Sequence, residues 1–224
     1  AAPRDEATLR ESLRLAVSID DAPAVVRYPK GALPEPLTAV RRLSGGPDES
    51  GCGEEPVQKE ALSPCAFDVV DVLLESLRPT GTARILLVGV GAMAPEAYEA
   101  GRILQKEDRA VTVVHPHWVI PAPAPLVAAA ANADVVVVVE DGLVDGGIGS
   151  QLRDAVEEYQ AAHSATGDSP VFRRIGIPRR FVDTATRAQL MEDFGMRAVD
   201  IAQAACRAAD GVAGARTDQD LRAE

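Results

Sequence analysis

Hydrophobic and polar positions recur with two different periods along this chain. From Asp5 to Ile19, Leu9, Leu13, Ala16 and Val17 fall at helical spacing, with Leu15 and Ile19 widening the stripe, which predicts an amphipathic helix. Asp5 stands where an N-cap belongs, so its carboxylate can take up free amide groups of the first turn. Ala24 to Val26 then predicts a short edge strand that ends in Arg27-Tyr28-Pro29-Lys30-Gly31. Pro29 fixes its own φ and biases Tyr28 to extended backbone, so both cations stand on a restrained stretch. A lone helix and strand cannot form a domain. Residues 1–31 therefore read as the last elements of a domain whose beginning lies elsewhere, and the start of the chain looks like the middle of something longer.

Residues 32–65 hold five prolines, the pair Gly45-Gly46 and a cluster of acids. That composition cannot bury enough apolar surface to offset chain ordering, and it predicts an interdomain linker, partly mobile from Ser44 to Ser63. Beyond it the pattern becomes regular over 66–210. Phe67 to Leu77 reads as a short helix. Val- and Ile-rich runs at 84–90, 110–115, 134–140 and 171–177 read as buried strands. Helical segments fall at Pro95 to Gln105, Pro123 to Ala131, from the turn ending at Ser150 to Ala161, Thr184 to Phe194 with Thr184 or Thr186 as cap, and Ala198 to Ala208. Continuous apolar strands alternating with helices predict an α/β fold, a mainly parallel sheet with helices on both faces. Residues 211–224 are polar and read as a disordered tail.

Charge narrows the partners. Thirty-four acidic against 23 basic residues give a net charge of −11, which repels polyphosphate backbones and argues against nucleic acid or an anionic membrane. No apolar run reaches the ~18 residues of a membrane span, and Val135 to Val139 is the size of a buried strand. Cys52, Cys65 and Cys206 have neither CxxC nor metal-type spacing and read as reduced thiols, consistent with a cytoplasmic protein.

Four motifs could carry chemistry. Gly89-Val90-Gly91 lies at a strand-to-helix turn, but the third glycine of a dinucleotide fingerprint is absent and the next strand ends in His115, not an acid; a tight turn that packs the helix is favoured. The Gly146-Gly147-Ile148-Gly149-Ser150 turn follows Glu140 and Asp141 and lacks the Lys-Ser/Thr pair of a P-loop, so close backbone packing is favoured there too. His115 and His117 share a face and could in geometry bind a metal; without a nearby acid or Cys pattern they read as shaping the loop around Trp118. His163 stands in a polar turn. No catalytic residue and no metal site is assigned.

Four stretches resemble the 1-deoxy-D-xylulose-5-phosphate synthases, transketolase-like thiamine diphosphate enzymes: DDAPAVVRYPKG (20–31), RILLVGVGAMAPEA (84–97), VVEDGLVDGGIGS (138–150) and RRIGIPRRFVDTATRAQLMEDFGM (173–196). The resemblance implies a transketolase carboxyl-terminal-type domain, preceded by the last helix and strand of a pyrimidine-binding domain. It implies condensation of pyruvate, with decarboxylation, and glyceraldehyde 3-phosphate, feeding isoprenoid precursor, thiamine and pyridoxal synthesis. Thiamine diphosphate and Mg²⁺ would be bound mainly by residues outside this chain, which alone would be inactive. By the same resemblance Lys30 takes the position that anchors the acceptor's phosphate. Many relatives have arginine there, so Lys30 keeps the charge and loses the fork. Arg27 would be a structural ion-pair residue and Tyr28 would pack beside the pocket. Partners implied are the missing amino-terminal domains or a second chain carrying them, with a homodimer as the assembly. Two alternatives stand beside this reading: an E1-beta-like subunit of a split thiamine diphosphate enzyme, and a non-catalytic dimerisation module.

Overall fold

The computed structural model describes residues 1–32, 34–44, 67–76, 82–163 and 168–223, with backbone alone from 216 onward. The β-branched runs become four parallel strands, β3 (Arg84–Gly89), β4 (Ala110–Pro116), β5 (Val135–Leu143) and β6 (Val171–Ile177). Helices α2 (Ala94–Lys106), α3 (Ala124–Ala131) and α4 (Ile148–Ala162) form the crossovers between them. Parallel neighbours need such connections because the chain must return to the same end of the sheet. After β6 come α5 (Arg187–Asp193) and α6 (Ala198–Ala223). At the other edge β1 (Arg41–Ser44) and β2 (Val69–Ser76) join antiparallel, giving the order β1-β2-β4-β3-β5-β6.

Alternation along the strands sends successive side chains to opposite faces. Ile85, Leu87, Val135, Val137 and Val139 pack against α2 and α6; Leu86, Val88, Val136 and Val138 meet Leu126 of α3 and Leu152 and Val156 of α4. The sheet is the middle of three layers. Each such side chain, fully buried, contributes roughly 1.5–3 kcal/mol against the entropy of ordering the chain. These two clusters fix the strand register, because a slip of one residue would exchange the faces.

Helix α1 (Glu6–Ala16) has Asp5 as its N-cap: the Thr8 amide donates to Asp5 Oδ1 at 2.9 Å and the Asp5 amide donates to Thr8 Oγ1 at 3.1 Å. Its buried face is not the expected apolar stripe, however. Thr8, Ser12 and Leu15 are buried, while Leu13 is 45% and Val17 84% exposed. The helix docks through its capping box and the neighbouring Arg4, so polar bonds set its rotation here.

Other expectations also change. In place of the helix expected from Phe67 to Leu77, Val69–Ser76 is strand β2, because Val70, Val72, Leu73 and Leu74 are all buried and leave a helix no polar face; Leu77 lies outside the described residues. The expected linker 32–65 contributes β1, whose Arg41 and Arg42 pair with Glu75 and Asp71 of β2; residues 45–66 lie outside the described residues. Ala24 to Val26 is not the expected edge strand. Among the described residues no strand lies beside it, and Val25 is 72% exposed. Helix α6 runs past residue 211 to Ala223, since Ala and Arg favour helix and no proline interrupts.

Candidate functional site

The parallel strands deliver their carboxyl ends to one edge, where α/β folds place their ligands. Residues 22–31 cross that edge. The Arg27 amide donates to the Ala1 carbonyl at 2.9 Å, and the Arg27 guanidinium donates to the main-chain carbonyl of Asp141 in β5. Asp141 holds a second cation through its side chain: Arg187, in the first turn of α5, donates to the Asp141 carboxylate. Two segments far apart in sequence thus meet on one residue.

Between residues 28–32, the amino end of α1 and α5 lies a cavity of about 520 Å³, lined among others by Arg4, Tyr28, Lys30, Ala92 and Arg187. Lys30 is exposed at its wall, and among the described residues it makes no hydrogen bond or ion pair. Tyr28 is 61% exposed and walls the same space. Arg4 is committed elsewhere, donating to Asp71 at 2.6 Å and to the Leu37 carbonyl at 2.9 Å.

Beneath the cavity Asp71 gathers a polar cluster inside the protein. Its carboxylate accepts from Arg4 and His117 through Oδ2 and from Arg42 through Oδ1, the last two at 2.8 Å. Burial alone would push the Asp71 carboxyl up; the hydrogen bonds and charges of His117 and Arg4 outweigh it and hold it well below the usual carboxylate range. His115 lies directly across the ladder from Asp71, and its Nδ1 hydrogen-bonds the Gly89 carbonyl at 3.0 Å. Burial, assisted by the Arg4 charge, pushes its imidazole down to about 3. His115 is therefore neutral at physiological pH. Trp118 packs edge-on against Phe67 with ring centroids 5.0 Å apart, next to the two histidines.

Both glycine turns are filled by the protein itself. A Cβ on Gly89 would lie 2.7 Å from Ala94 Cα, so the turn serves to pack α2 on the sheet. At the other turn the Glu140 carboxylate accepts from the Ile148 and Gly149 amides at 2.9 and 3.1 Å, occupying the amino end of α4 that an anion would use. His163 stacks on Tyr159 with centroids 4.1 Å apart, and Cys206 sits beside Glu107. Among the described residues no group of three or more His, Cys, Asp or Glu could hold a metal ion.

The structure brings Tyr28 and Lys30 to one cavity and places Arg27 behind it as an anchor. Sequence reasoning missed Arg187, Asp141, and the cluster of Arg4, Asp71 and His117. Asp71 carried a signal, as a single acid inside an otherwise apolar strand run. Arg187 carried none beyond lying in a cap-and-helix pattern.

A three-layer α/β unit of this order, with its crevice at the carboxyl edge, is matched over residues 75–201 by the family described as transketolase, C-terminal domain. The chain belongs to that family. Its curated relatives are 1-deoxy-D-xylulose-5-phosphate synthases. The protein of Corynebacterium glutamicum strain R is 37% identical over 199 residues, covering 88% of this chain and 27% of that one. That of Kocuria rhizophila is 40% identical over 207 residues, covering 91% and 26%. The second synthase of Streptomyces coelicolor is 39% identical over 203 residues, again covering 91% and 26%. The chain thus spans about a quarter of the length of these relatives and is homologous to their carboxyl-terminal region. Among solved structures, a split gene transketolase in an inactive β4 tetramer has a TM-score of 0.52 at 26% identity, over 64% of this chain and 43% of that one. No helix among the described residues is long and apolar enough to cross a membrane.

Proposed function

We propose that the chain is the carboxyl-terminal part of an enzyme that decarboxylates pyruvate and condenses the two-carbon unit with glyceraldehyde 3-phosphate to give 1-deoxy-D-xylulose 5-phosphate. The identity to synthases over 88 to 91% of the chain carries this reading, because a span of that size has to take in most of residues 1–74, beyond the family match. Lys30 is the residue of this chain that binds the acceptor's phosphate. Lys30 lines the cavity and has no partner among the described residues, so binding a phosphate breaks no ion pair seen there. Tyr28 walls the pocket and Arg27 fixes the backbone that presents Lys30. Thiamine diphosphate and Mg²⁺ are held mainly by residues outside this chain. Residues 1–31 close the pyrimidine-binding domain of the parent, which acts as a cytoplasmic homodimer. The exposed Leu13, Val17 and Val25 support that arrangement, as an apolar surface that further residues of the parent would cover.

A second reading, one subunit of a two-chain enzyme, is favoured by the likeness to a split gene transketolase. One experiment addresses both. Pyruvate and glyceraldehyde 3-phosphate, with Mg²⁺ and thiamine diphosphate, are supplied to residues 1–224 alone, to the chain fused to upstream domains, and to the chain mixed with a separate polypeptide carrying them. Turnover is expected only when those domains are present, and turnover by the chain alone would overturn the proposal. In the active form Lys30→Ala raises KM for the phosphorylated acceptor about tenfold or more with kcat little changed. No kinetic change would leave this chain an assembly module.

A further inference from the structure

We propose that Arg187 is a second anion-binding cation of the Lys30 cavity, poised there by Asp141, which releases part of its hold when the ligand's phosphate enters. This rests on the reading above that the cavity takes a phosphate. Arg187 lines the same cavity as Lys30 although 157 positions separate them in sequence (187 − 30). Its Nη1 donates to the Asp141 carboxylate, whereas among the described residues its Nη2 has only the Met93 thioether, 3.7 Å away. Thioether sulfur is a weak acceptor, and a guanidinium carries five donors, so the planar fork keeps donors for a phosphate oxygen. The pair with Asp141 is partly exposed, the Arg187 side chain at 49% and that of Asp141 at 23%. Pairs at that exposure stabilise little, so exchanging one carboxylate contact for a phosphate contact is cheap. Arg4, the other cation lining the cavity, is 6% exposed and is already held inside the protein by Asp71 and the Leu37 carbonyl. Lys30 then supplies a point charge and Arg187 a planar, directional contact to the phosphate oxygens.

The test is titration of the 224-residue chain with inorganic phosphate and with glyceraldehyde 3-phosphate, followed by ³¹P NMR at fixed ionic strength in chloride. Arg187→Gln and Lys30→Ala should each weaken binding about tenfold, with Arg187→Lys intermediate. Asp141→Asn should tighten binding roughly two- to threefold, because it removes the competing carboxylate. That gain should vanish in the Arg187→Gln background, a dependence that a merely structural role would not produce. Far-UV circular dichroism confirms that each variant is folded. If Lys30→Ala loses phosphate while Arg187→Gln binds as the parent does, the Arg187 assignment is wrong and the cavity reading stands. A gain from Asp141→Asn that survives in the Arg187→Gln background also overturns it. If the unaltered chain binds neither ligand, the cavity reading itself fails and this inference fails with it.

Discussion

Asp71 of β2 and His117, one residue past the end of β4, meet at 2.8 Å where neither side chain reaches solvent. The contact joins an antiparallel edge of the sheet to the loop at its carboxyl end, and Arg4 joins α1 to the same carboxylate. Replacing Asp71 by Ala leaves Arg4 and His117 as buried donors without their acceptor. The loss should be about 3–5 kcal/mol, read as a lowered urea midpoint with little change in slope. Asp71→Asn keeps the shape and part of the bonding, and should lose about 1–3 kcal/mol.

Acid should act in two windows. His115 titrates near 6.5 when unfolded and is pushed down to about 3 in the native protein, where Arg4, His117 and Asp71 surround it. Between those values the unfolded chain binds a proton that the native one does not. Stability from this group is therefore complete above pH 6.5 and falls on acidification, by at most about 1.4 kcal/mol per pH unit. Asp71 has a depressed native pKa, so its contribution is present above about pH 4 and is lost as pH falls further. Urea unfolding at pH 7, 6, 5, 4 and 3 should show a flatter dependence down to pH 4 in His115→Leu than in the parent, with the loss below pH 4 retained.

Two adjacent glycines should fail for different reasons. A Cβ on Gly147 would lie 2.2 Å from the Leu143 carbonyl oxygen and 2.4 Å from the Glu140 carboxylate, so Gly147→Ala must displace the group that caps α4. A cost of about 1–3 kcal/mol follows from such overpacking. Gly146 has open space around it but a φ of +75°. Gly146→Ala should cost about 1 kcal/mol through the left-handed backbone alone, and Gly146→Asn less. Thermal unfolding of the three variants distinguishes steric from conformational cost.

Lys30→Arg offers a gain rather than a loss. A guanidinium at this wall could grip two phosphate oxygens where an ammonium presents one charge. In the active enzyme KM for glyceraldehyde 3-phosphate should fall a fewfold, with pyruvate kinetics unchanged. Unchanged kinetics for both substrates would remove Lys30 from the acceptor site.

The parallel core was legible because buried Val and Ile runs have one reading once helices alternate with them. The edge was not. Val69–Ser76 contains Asp71, Glu75 and Ser76, and that polar sprinkling mimics a helix until the partners of Asp71 are known. The rotation of α1 was hidden for the same reason: its apolar stripe predicts the buried face only if apolar contacts set the docking, and here Arg4, Asp5 and Thr8 set it. Glu140 shows a third limit. It caps α4 from eight residues upstream, through a turn whose N-cap, Gly147, has no side chain to do so. At the cavity, Tyr28 and Lys30 could be named in advance because both lie in the single stretch 20–31 that carries the resemblance, while Arg187 and Asp141 become neighbours only when β5 and α5 reach the same edge of the sheet.

The Arg4–Asp71 bond and the β1–β2 ladder both span residues 45–66, one end of each lying before that interval and the other after it. Covalent continuity across the interval is thus redundant with the contacts that bridge it. Cleavage there should yield two pieces that stay together as a non-covalent complex, co-eluting in size-exclusion chromatography and separating only in denaturant. The chain would then behave as a self-complementing pair of fragments.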